Sequence, residues 1–394
     1  MTLARHPAVL ALTLMAASPV HAAGLGELGA ARQECIAAAR DTQQREQAVL
    51  AIEHDVDLLT RDAEARQRGL DETRTEQAHL LATLVYIARH PPNDRLVLAA
   101  GTSLDRVRGD ALMQEADPAL KSLTRALSAE IARVASLRQR AGAKDEELKA
   151  ARLDLAAERQ RLTQVVWRRS DLTRQLSPDD PAASGRVARL GREATVGDLI
   201  KTADAAADRR DKDMQSRARP SAKKGNATAV DSADPTRPLE LKTLALNPDD
   251  APQPLLVTPV VGTVTHRFGE TGMNEAQIAG LSLAPLEDAA VVAPFDGRIV
   301  YAGPFHDFGL VLIIRHLGGH HSVLTGLDRV DVKIDQWIQA GEPLGAMPAA
   351  IADAPGSVLY FELRRDGRPV DPQPWLASRD DGRGEMNGDQ KVRQ

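Results

Sequence analysis

From about residue 30 to 89, apolar residues return at alternating steps of three and four. Val49, Ile52, Val56, Leu59, Ala63, Leu70, Leu80, Leu84 and Ile87 share one register, while Arg61, Asp62 and Glu64 stand on other faces. A mean repeat of about 3.5 residues keeps one seam turned toward a neighbouring helix, the condition for a coiled coil. Pro91 and Pro92 end this run, since neither can donate the backbone bond and His90 is pushed out of the helical region. A second run carries Leu120, Leu123, Leu127, Val134, Leu137, Ala141, Leu148, Leu155, Leu162 and Val165. Two such runs predict an antiparallel hairpin over 27–178, the competing arrangement being a parallel dimer of one continuous rod.

The stretch joining the runs, 93–118, is itself patterned. Leu96, Val97 and Leu98 are apolar, and Ser103 can cap a short helix carrying Leu104, Val107 and Ala111. It reads either as a binding site at the tip of the coil or as a small lobe folded on itself. Beyond the prolines of 177–185, Val196, Leu199, Ile200 and Ala203 lie at helical spacing and predict an amphipathic helix over 186–207. That helix either packs back on the coil or covers a groove on the C-terminal domain. Residues 208–250, rich in Arg, Lys, Asp, Ala and Pro, read as a flexible linker.

From 252 to 377 the period shortens. Val291–Ala293, Arg298–Ala302, Leu310–Ile314, Ser322–Leu324 and Val358–Arg364 are short β runs between Gly, Pro and Asp turns, which predicts an all-β sandwich or barrel. The fold class is therefore α + β multidomain, with an N-terminal antiparallel coiled-coil hairpin, a C-terminal all-β domain and a polar tail at 378–394.

Composition changes this picture in three places. Arg5, the apolar stretch Ala8–Ala17 and the small residues around Ala22 and Ala23 predict a signal peptide over 1–23. That stretch is shorter than the roughly 20 residues a membrane span needs, so the mature protein is expected outside the cytoplasm. A net charge of −5 with both signs interleaved argues against nucleic acid as a partner. The single cysteine, Cys35, cannot form an internal disulfide and reads as a helical thiol.

Several motifs follow one another in the β region. Thr265-His266-Arg267-Phe268-Gly269, Val292 through Gly303, Gly341-Glu342-Pro343-Leu344-Gly345, and Tyr360-Phe361-Glu362-Leu363-Arg364 with Val370-Asp371-Pro372 stand in one order. They resemble the T-S-x-F-G, V-x-A-x-x-D-G-x-V-x-x-A-G, G-Q-x-I-G and H-F-E-x-R…V-D-P segments of LytM/lysostaphin-type zinc endopeptidases, which have a duplicated hybrid motif-like fold. In that family an H-x-G-x-D turn and the last His of H-L-H hold zinc, and further histidines activate water. Here the resemblance places Ile278 and Ser282 at the first two ligands, Val358 and Tyr360 in the H-L-H, and Gly326 at the remaining histidine. No metal, cofactor or catalytic residue is therefore expected. Period-two alternation turns Val358, Tyr360 and Glu362 toward the former active site and Leu359, Phe361 and Leu363 toward the core.

A signal peptide, a coil, a linker and such a degenerate LytM domain together resemble the EnvC family of murein hydrolase activators. The ending Leu359 to Gly367, then Val370 to Leu376, is especially similar. The resemblance implies a groove at Ile278, Ser282, Gly326, Val358, Tyr360 and Glu362 that binds a periplasmic zinc-dependent amidase. It implies a coil that docks on the extracytoplasmic part of FtsX, and septal peptidoglycan as the setting. The helix bearing Val196, Leu199, Ile200 and Ala203 is the candidate regulator of the groove. The alternatives are an active LytM-type zinc endopeptidase, an efflux-type adaptor, whose half-motifs would flank the hairpin rather than follow it, and a cell-wall scaffold. His316, His320 and His321 lie close together but lack an acidic third ligand, and read as exposed turn histidines.

Overall fold

The computed structural model describes residues 19–89, 104–176, 185, 189–191, 195–217, 256–272, 277–349 and 357–376. The first part of the signal sequence, the prolines of 90–92, the 93–103 half of the tip, most of the linker and the polar tail lie outside these residues. Among the described residues, no helix is long and apolar enough to cross a membrane.

Two helices dominate the N-terminal half: α1 (Pro19–Arg89) and α2 (Leu104–Leu176). The short helix expected after Ser103 is the first part of α2. The chain divides into two compact units, Ala48–Leu153 on the one hand and Met1–Gln47 with Asp154–Gln394 on the other. Within the first unit the helices run antiparallel, with Arg152 on Glu53 at 2.7 Å, Lys144 near Asp55 at 3.6 Å and Arg66 on Glu130 at 3.1 Å. Val49, Ala63, Leu70, Val134, Leu137 and Leu148 are buried along the seam, as the heptads predict.

The second unit contains the coil root and the β domain. Among the described residues, eleven strands form its sheets: β1 (Gly262–His266), β2 (Leu281–Pro285), β3 (Ala290–Val292), β4 (Gly297–Pro304), β5 (Leu310–His316), β6 (His320–Leu327), β7 (Arg329–Val330), β8 (Trp337–Ile338), β9 (Pro343–Ala346), β10 (Leu359–Arg365) and β11 (Arg368–Val370). The large sheet has the order β1-β2-β10-β6-β5-β4-β8, with β11 on β10, and the small one the order β3-β9-β7. Every pairing between these strands is antiparallel. Alternation selects the core: Leu312, Ile314, Leu324, Leu359, Phe361 and Leu363 from the large sheet pack with Val291 and Leu344 from the small one.

The amphipathic helix α3 (Val196–Arg217) departs from its expected limits and from one expected position. It extends ten residues beyond 207, and it packs on the β domain rather than on the coil. Leu199, Ile200, Ala203 and Ala207 are buried against Val300, Tyr301, Phe305, Val311, Ile313 and Val323 on the outer face of the large sheet. The extension is charged sequence of the kind that composition assigns to a linker. Here its carboxylates meet a row of basic side chains on the sheet, which supports the additional turns.

Candidate functional site: a sheet face with a polar row and a helix laid across it

Cross-strand register builds the site. Val311, Thr325, Tyr360 and Ser282 are successive partners across β5, β6, β10 and β2. One row along, Tyr301, Ile313, Val323 and Glu362 are partners across β4, β5, β6 and β10. Side chains of directly paired residues share a face, so Ser282, Tyr360 and Glu362 stand on the same face as the apolar side chains that α3 covers.

Tyr360 donates its hydroxyl proton to Glu362 Oε2 at 3.0 Å, and Arg364 Nε donates to Glu362 Oε1 at 2.5 Å. Burial, reinforced by the Glu362 charge, pushes the Tyr360 phenol well above its ordinary range. It is therefore a neutral donor, engaged with a carboxylate. Val358 is 43% exposed at the start of this row. Ile278 is fixed in the segment before β2, its N–H bonded to the Glu270 carbonyl and its carbonyl to the Gly269 N–H.

Gly326 has φ +94, and a Cβ there would collide with the Val358 carbonyl. No L side chain fits without displacing β10. Gly280, in the loop leading to Ser282, similarly passes against the Phe361 carbonyl. Together these positions do not fit a zinc ion. Isoleucine, valine and glycine present no side-chain donor, and a serine hydroxyl and a neutral phenol are poor ligands. Among the described residues, no group of three His, Cys, Asp or Glu side chains is arranged to hold a metal.

The three histidines differ from expectation: all are buried. The turn between β5 and β6 is short, so the strands extend through His316 and His320. His316 contacts the Asp296 carbonyl and Ser322 Oγ, each at 2.8 Å. Because a carbonyl only accepts, Nδ1 carries the proton and Nε2 accepts from the serine. Burial pushes His316 down to about 4, against the opposing hydrogen bond to Asp296 and with some help from His321 and His320. His321 faces the other way, its Nε2 at 3.0 Å from Asp204 of α3.

That contact belongs to a second row. Arg298, Arg315, His321 and Arg364 are cross-strand partners on β4, β5, β6 and β10. Asp204, Asp208 and Asp211, one helical turn apart on α3, meet it. Asp208 accepts from Arg315 at 2.7 Å, and Asp211 accepts from Arg298 at 2.6 Å and lies 3.5 Å from Arg315. Arg210 pairs with Asp335, which also holds Arg298. Thr195 caps the helix by accepting the Asp198 N–H at 3.1 Å. A Cβ on Gly197 would lie 3.4 Å from Arg364 Nη1, so the first turn of α3 reaches the residue that holds Glu362.

The sheet brings together the expected site residues Ser282, Gly326, Val358, Tyr360 and Glu362. Arg364, Thr325 and Phe308 had no expected role in the site. Phe308, 56% exposed in the β4–β5 connection, stacks on buried Phe305 at 6.2 Å between ring centroids. Its only sequence signal is an aromatic residue immediately before Gly309 in a turn.

Residues 276–372 match the model of peptidase family M23. The chain is 28% identical over 217 residues to the murein hydrolase activator EnvC of Escherichia coli K12, covering 55% of this chain and 46% of that protein. It is 31% identical over 122 residues to the murein hydrolase activator NlpD of Salmonella dublin, covering 31% of each. Among solved structures, Helicobacter pylori Csd3 aligns at 22% identity and a TM-score of 0.27, covering 31% of this chain and 33% of that one. The chain spans less than half the length of these curated relatives. Residues 276–372 thus carry an M23 domain, and the chain fits the plan of an EnvC-type LytM-domain protein.

Proposed function

We propose that this protein is a non-enzymatic activator of periplasmic zinc-dependent N-acetylmuramoyl-L-alanine amidases, acting where peptidoglycan is split at the division septum. The relatives with this domain are murein hydrolase activators, which supports the general role. The observation that carries the reading is a shaped, partly apolar row at the positions where the family resemblance expects a metal site. Ser282 and Tyr360 pair across β2 and β10, Glu362 locks Tyr360 in place, and Gly326 leaves no room for a histidine. A rigid tyrosine beside exposed Val358, with Phe308 on a neighbouring turn, suits the recognition of a protein surface.

In this reading the amidase occupies the groove at Ile278, Ser282, Gly326, Val358, Tyr360 and Glu362. Helix α3 holds the adjoining part of the same face through Val196, Leu199, Ile200 and Ala203, and limits access until it is released. The coil receives the extracytoplasmic domain of FtsX, which supplies the signal for release.

The test is dye release from labelled peptidoglycan. The full chain alone is expected to release nothing. With a periplasmic amidase it stimulates release, and replacing Asp204, Asp208 and Asp211 by alanine increases that stimulation. Tyr360→Ala abolishes it. Failure of both the parent chain and the triple variant to stimulate any periplasmic amidase would favour a scaffold, and zinc-dependent release by the chain alone would restore the endopeptidase alternative.

A further inference from the structure

The side of the β domain formed by the small sheet is covered as well, and what covers it is the root of the coil. Cys35, Ala38 and Ala39 of α1 and Leu162, Val165 and Val166 of α2 pack with Ala290 and Val292 of β3 in one buried cluster. The small side chains let the α1 backbone approach the strand closely.

At the centre of this contact stands Glu342, with no exposed surface. Its Oε1 accepts from Arg169 Nη1 at 2.6 Å, and its Oε2 lies 3.2 Å from Arg32 Nε. Both arginines come from the coil and both are buried. Arg169 also donates to the Asp331 carbonyl at 3.1 Å, and Arg32 to the Trp337 carbonyl at 3.2 Å. A second anchor is Glu46, which accepts from Arg159 Nη2 at 2.9 Å and from the Ala290 N–H at 3.1 Å. Position 342 lies in the Gly341–Gly345 motif, where the LytM pattern carries glutamine. The Gln339 N–H also donates to Glu342 Oε2 at 2.9 Å, but a buried carboxylate still needs opposite charge, and here both cations are supplied by the coil.

We infer that Glu342 fastens the coil root to the β domain, so that the two form one body and displacement of the root carries the groove with it. The contacts of this joint run directly between α1, α2 and the β domain. The bearing of the joint on regulation rests on the activator reading; the joint itself does not.

Cys35, the single cysteine of the chain, has no exposed surface within the joint and serves as its reporter. In the native full-length chain, alkylation of Cys35 by N-ethylmaleimide is expected to be about a hundredfold or more slower than in guanidinium. Glu342→Gln preserves shape and removes the charge. It should raise the native rate by about tenfold or more, while Arg152→Ala, away from the joint, leaves it unchanged. Should E342Q fail to fold by circular dichroism, Arg169→Lys, which keeps the charge but loses the fork, is expected to accelerate labelling in the same direction. Native labelling as fast as in guanidinium would overturn the inference, as would folded E342Q or R169K labelling at the parent rate. This readout needs no amidase, so failure of the joint and failure of the activator reading are observed separately.

Discussion

Two interfaces hold helices to the β domain, and they place their charges oppositely. At the coil root the ion pairs lie in the middle of the contact: Arg169 and Glu342 are 1% and 0% exposed at their side chains. Along α3 the helix's own carboxylates lie at the margin, with the side chains of Asp208 and Asp211 60% and 42% exposed although Arg298 beneath them is 4% exposed, around a small apolar centre of Leu199, Ile200, Ala203 and Ala207. Buried pairs are insulated from salt and costly to break one partner at a time. Marginal pairs are screened, weak and reversible. The difference suits a fixed joint on one side of the domain and a releasable cover on the other.

The largest effect is expected where that contrast is sharpest. Arg169→Ala leaves buried Glu342 with Arg32 as its one remaining cation beside the Gln339 N–H, and should destabilise the unit by about 3–5 kcal/mol in denaturant unfolding. A loss below about 1 kcal/mol would place this pair with the surface pairs and erase the contrast.

Acid separates the interfaces in another way. His316 is depressed to about 4 by burial, so in the folded state it resists protonation. Its contribution is complete above about 6.5, the unfolded value, and is lost as pH falls toward 4, a change of up to about 3 kcal/mol. Glu46 at the root has the opposite sign. Burial raises it above its ordinary value despite the Arg159 ion pair and hydrogen bond, so its contribution is present in acid and declines as pH rises through its folded value. Acidification from pH 7 to 4 should therefore weaken the sheet beneath α3 while favouring Glu46 at the root. Unfolding measured against pH should lose part of its acid slope in His316→Gln; an unchanged slope would count against a buried neutral imidazole.

The smallest effect concerns the margin of α3. Replacing Asp204, Asp208 and Asp211 by alanine removes pairs worth about 0.2–1 kcal/mol each at low salt. Hydrogen exchange of α3 amides should accelerate in the variant at low salt, and about 0.5 M salt should bring the parent toward it. Exchange in the parent that is indifferent to salt would show that the apolar centre alone retains the helix.

Much of the architecture was legible from periodicity. Steps of three and four marked both arms of the coil, and strict alternation at Leu359, Phe361 and Leu363 assigned the two faces of β10. Resemblance to the LytM motifs pointed to Ser282, Gly326, Val358 and Tyr360, and the sheet brings them to one region. Three features were not legible. The charged end of α3 has the composition of a linker, and its helical state is accompanied by pairing with Arg298, Arg315 and Asp335, roughly 90 to 125 positions away. The histidines read as turn residues because one-dimensional patterning does not reveal that the strands run through them or that a helix lies above His321. Phe308 carries no periodic signal, and Arg364, though on the alternating face of β10, carries no sign in the sequence that it holds Glu362.

The sequence by itself determined the two arms of the coil, most of the strands and the apolar side of each, and which residues stand where the family resemblance expects zinc ligands. These follow from local periodicity and from side-chain chemistry at particular positions. Only the tertiary structure decided that α3 lies on the β domain and that Glu342 meets Arg32 and Arg169 from the coil. Those outcomes depend on side chains far apart in the chain, whose charges are stable when buried only because folding brings them together.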